Sequence, residues 1–81
     1  MKTLKVYRNG AATMTERIGR AIEHYTIHNG GRLPAAVVVN KRDVAETTAA
    51  VAALDLSLPV IADGGPLSGE VWLLVAEDAH G

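Results

Sequence analysis

The sequence predicts an α/β fold of the α+β two-layer sandwich kind, with elements in the order β-α-β-α-β-β. Three observations point there. Two stretches place apolar residues at helical spacing behind a capping signal, Thr13 with Glu16 and Asp43 with Glu46. Two others, residues 35–39 and 71–76, are apolar at both parities, as strands buried on both sides are. The 81 residues have room for one core, so residues 1–81 read as a single domain.

Taken in order, residues 3–8 alternate, with Leu4 and Val6 on one side and Thr3, Lys5 and Tyr7 on the other, the pattern of a half-exposed strand. Asn9-Gly10 breaks it. A helix over 13–29 follows, its inner face made by Met14, Ile18, Ala21, Ile22 and Tyr25. Asn29-Gly30-Gly31 ends it, since glycine enters the left-handed region without steric penalty. Pro34 leads into the apolar run 35–39, a central strand. Asp43 is the expected cap of a second helix over 43–55, with Val44, Thr48, Val51 and Leu54 facing inward. Pro59 opens a short strand, 60–62, and suits an edge because proline donates no ladder hydrogen bond. The glycine-rich loop 64–69 reads as a hairpin connection into a last, central strand, 71–76.

With strands one and three at the edges, the expected sheet is four-stranded and mixed, in the order 1-2-4-3, with both helices on one face and right-handed crossovers. This element order resembles that of the C-terminal domain of translation initiation factor 3, Alba-type chromatin proteins and small sulfur-relay carriers. The likeness is one of architecture and carries no activity with it. Sulfur-relay chemistry is excluded outright, because its nucleophile is a cysteine and the chain has none; disulfides and thiolate metal sites go with it. No apolar run approaches a membrane span, and the first residues lack the apolar stretch of a signal peptide, so a cytoplasmic protein is expected.

The charge is divided along the chain. Residues 1–42 hold all eight Lys and Arg and two acidic residues, a net +6; residues 43–81 hold seven acidic residues and no base, a net −7. Such a split marks a patch for an acidic partner or RNA, complementary patches that join one copy to another, or halves that interleave and neutralise one another. Lys5, Tyr7, Arg8, Arg32, Lys41 and Arg42 are the candidates for a nucleic-acid surface, although three aromatic residues in all build no stacking platform.

Two constellations bear on catalysis. Asn40-Lys41-Arg42-Asp43 matches the guanine-recognition tetrapeptide of GTPases, in which the Asp accepts hydrogen bonds from the base, but no glycine-rich phosphate cradle of the form Gly-x4-Gly-Lys-Ser/Thr accompanies it. His24 and His28 stand four apart on a helix, a spacing that can hold a metal, without a third ligand tied to them. No catalytic residue, metal or cofactor is therefore expected. The favoured expectation is a non-enzymatic binding and assembly module, a homo-oligomer joined through the sheet face that the helices leave open, with Trp72, Leu74 and Ala76 at the interface. RNA binding through the basic half is the alternative, and a small enzyme or nucleotide- or metal-binding protein the second.

Overall fold

The computed structural model describes residues 1–6 and 13–76. Strand β1 (Lys2–Val6) is followed by helix α1 (Met14–His28), strand β2 (Ala36–Asn40), a 3-10 turn (Lys41–Asp43), helix α2 (Val44–Ala53) and strands β3 (Val60–Asp63) and β4 (Val71–Val75). The fold is α+β, a four-stranded mixed sheet with two helices.

Helix α1 starts where its capping signal stands: the Thr13 hydroxyl accepts the Glu16 amide at 3.1 Å. All five residues of its expected inner face are buried. At the far end the Asn29 side chain donates to the Tyr25 carbonyl at 2.7 Å, and Gly30 and Gly31 carry the chain away with φ of 65° and 85°. Those are values only glycine takes freely.

Helix α2 departs from expectation at two points. Asp43 stands at its N-cap without a side-chain capping bond; Asn40 caps the preceding 3-10 turn instead, its Oδ1 accepting the Arg42 amide at 3.0 Å. The inner stripe is Thr47, Ala50 and Val51, whereas Thr48 is exposed and its hydroxyl donates to the Val44 carbonyl at 2.8 Å. At 100° per residue Thr48 lies one position around from a stripe centred on Thr47.

The sheet order is β1-β4-β2-β3. Both edge strands and both central strands are as expected, but β2 and β4 have exchanged places relative to 1-2-4-3. β4 runs antiparallel between β1 and β2, and β2 pairs in parallel with β3. Connection length accounts for the exchange. Residues 41–59 return the chain through the short α2 to the neighbouring position, about 4.8 Å away; residues 7–35, with the longer α1, span two positions and leave a slot for β4. The last connection is consequently no hairpin: residues 64–70 leave β3, pass the carboxyl end of β2 and enter β4 on its far side.

Register then sorts the side chains. Val71, Leu73 and Val75 of β4 join Val37 and Val39 of β2 and the inner faces of both helices in one buried cluster, with Val6 and Val60 packed on it. The opposite side holds a row across all four strands, Lys5, Trp72, Val38 and Ile61, and beside it Thr3, Leu74 and Ala36. No helix among the described residues is long and apolar enough to cross a membrane.

Candidate functional site

Two features stand apart from the core: the open sheet face, and the carboxyl end of the parallel pair β2 and β3. On the open face Trp72 and Leu74 are half-buried and Ile61 is 39 % exposed, while Ala36 and Val38 between them are buried. Ala76, immediately past β4, is exposed. Trp72 is partly roofed by its own chain. Lys5 places its ammonium 5.2 Å from the ring centroid, and a Cβ built on Gly65 would come within 2.8 Å of the outer indole carbons. The loop lies that close only because residue 65 has no side chain. The indole Nε1 is buried without a hydrogen-bond acceptor among the described residues. A tryptophan set in a finished core ordinarily finds one.

At the carboxyl end of β2, the 64–70 crossing is held by two side chains of the tetrapeptide that resembles a guanine-recognition motif. Asn40 Nδ2 donates to the Pro66 carbonyl at 2.9 Å, and Pro66 is fully buried. The Asp43 carboxylate, 8 % exposed, accepts the Gly69 amide at 2.7 Å and the Ser68 hydroxyl at 3.3 Å. From α1, Arg17 donates to the Gly69 carbonyl at 3.3 Å. Both oxygens that would recognise a base are thus engaged with the loop, and a structural role accounts for Asn40 and Asp43.

Outside this knot a cleft of about 420 Å³ opens between the ends of β2 and β3, lined by Asn40, Lys41, Arg42, Ala62, Asp63 and Gly64. The chain leaves β2 toward the helices and leaves β3 toward the Trp72 side, and crevices at the carboxyl ends of parallel strands form where connections diverge in this way.

Among the described basic candidates, Arg32 lies apart from Lys41 and Arg42. Lys5 is on the edge strand β1, Arg32 precedes β2 and Lys41 and Arg42 follow it, so the strand's length, roughly 17 Å, separates the last two groups. Tyr7 and Arg8 lie outside the described residues. The basic and acidic halves interleave, with β4 inserted between β1 and β2. His24 and His28 meet edge-on with ring centroids 4.4 Å apart, and no group of three or more metal-ligating residues occurs among the described residues. Comparison with family models, curated proteins and solved structures gives no significant match to this chain.

Proposed function

We propose that the protein is a non-enzymatic assembly module that self-associates through its open sheet face. The observation that carries this reading is the pair Trp72 and Leu74, half-buried on central strand β4, with exposed Ile61 on β3, facing away from both helices over the buried Ala36 and Val38. None of these residues is charged. Such a patch can meet its own copy across a two-fold axis without opposing like charges at its centre, and two-fold pairing is the commonest way for a chain to cover itself. An axis parallel to the strands would lay β1 of one copy over β3 of the other, which keeps the two Lys5 side chains apart. A domain of this size hides only about 60 % of its unfolded surface, so a second copy supplying the missing layer contributes a large share of the total burial.

Light scattering over a wide concentration range tests the proposal, with a mass of twice the 8.5 kDa chain expected at the upper end. Leu74→Glu should give a folded monomer, because Leu74 stands clear of the Gly65 crossing. Trp72→Glu should dissociate the pair as well while disturbing that loop. A wild-type mass that stays at one chain throughout, or a Leu74→Glu variant that remains a dimer, would overturn it.

A further inference from the structure

We propose that the cleft between the carboxyl ends of β2 and β3 binds a phosphorylated sugar, free or as part of a mononucleotide. The polar groups around it divide into two classes. Asn40 is committed to the fold, with its amide nitrogen on Pro66 and its oxygen on Arg42. Lys41, Arg42 and Asp63 are not: all three are exposed, and none makes a side-chain hydrogen bond or ion pair with a described residue. Two cations and a carboxylate therefore line one cleft without neutralising one another. Closing an ion pair between them would fill the opening, so their separation leaves room for a ligand that satisfies both signs.

The chemistry of that ligand follows from the lining. Adjacent Lys and Arg side chains suit a phosphate dianion, the guanidinium offering a planar pair of donors and the ammonium a point charge. Asp63 can only accept, so it calls for hydroxyl or amino donors at the other end of the same molecule. Ala62 and Gly64 leave the wall between them apolar and low. The volume lies in the range of small-molecule sites and is far larger than a bare phosphate requires. A sugar phosphate carries the dianion and the hydroxyls together. Register places Asn40 opposite Asp63 on the last rung of the parallel pair, and Lys41 and Arg42 follow directly in the 3-10 turn that Asn40 caps, so the polar groups of the cleft stand at or next to the strand ends.

The test is amide chemical-shift mapping at low salt with three small probes, ribose 5-phosphate, AMP and inorganic phosphate, and with oligoribonucleotides of increasing length, on the whole chain and on Leu74→Glu, so that self-association and ligand binding are read separately. Shifts should concentrate at residues 40–42 and 62–64 with both organic probes, and inorganic phosphate should bind more weakly. The double variant Lys41→Ala, Arg42→Ala should lose roughly tenfold or more in affinity, as expected for charged hydrogen bonds at a partly open site. Asp63→Asn should erase the preference for the organic probes over inorganic phosphate while circular dichroism stays unchanged. Tighter binding of AMP than ribose 5-phosphate points to the nucleotide as the source, and equal binding to the sugar phosphate. The proposal falls if millimolar probe moves no resonance in the cleft, or if inorganic phosphate binds as well as the sugar phosphate. It also falls if shifts spread to Lys2, Lys5 and Arg20 and an oligoribonucleotide binds with affinity that grows with its length.

Discussion

The two faces of the sheet come from the same strands by alternation, and they differ in what finishes them. On one, Leu73, Val37 and Val39 have no exposure and join the inner faces of both helices in one buried cluster. On the other, Trp72 is met by the ammonium of Lys5 and the backbone of Gly65, and its indole nitrogen has no acceptor among the described residues. The first face is closed by elements; the second is closed only at one end, by a loop. Apolar character alone therefore does not mark a core. What marks it is whether the chain has a second layer to set against it, and this chain places both helices on the same side.

The sharpest way to break the comparison is to truncate neighbouring residues of β4. Leu73→Ala removes a side chain with no exposure and should cost about 2–5 kcal/mol, enough to unfold much of a small domain, whereas Leu74→Ala should cost under about 1.5 kcal/mol in the monomer. Urea melts at low concentration measure both, and equal losses would mean that the two faces are equivalent.

Next in size is Asp43→Ala, which leaves the Gly69 amide and the Ser68 hydroxyl without their acceptor and should cost about 1–3 kcal/mol. Because the crossing it anchors also carries Gly65 against the indole, tryptophan fluorescence should change along with the melt. A loss of stability with no fluorescence change would separate the anchor from the open face.

The smallest effect belongs to a position remote from either face. Thr13→Ala removes the α1 cap and should cost about 1 kcal/mol, with the loss of helical ellipticity on warming beginning earlier.

Part of the candidate site is legible in the order of the residues alone. Lys41 and Arg42 stand out as a basic pair after an apolar strand, and Trp72 and Leu74 as apolar residues of opposite parity to Leu73. Asp63 carries no such mark, because a lone acid after a short strand has no local signature. Its meaning depends on β3 lying parallel and next to β2, which sets it opposite Asn40. The same dependence hides the role of Asp43: its spacing to Glu46 fits a helix cap, and only a loop arriving from residues 66–69 turns it into an anchor.

By itself the sequence determined the two helices, the four strands, and which strands are central and which are edges. Those follow from periodicity and capping, which are properties of contiguous residues. The tertiary structure alone decided that β4 pairs with β1 and that β3 stays with β2. Both arrangements keep the same two strands central, so the hydrophobic pattern does not distinguish them. The choice rests on how far α1 carries the chain across the sheet and on whether residues 64–70 can be held over the end of β2. Asn40, Asp43 and Arg17 hold them there, and the same crossing sets the Trp72 face and the Lys41, Arg42 and Asp63 cleft on either side of one loop.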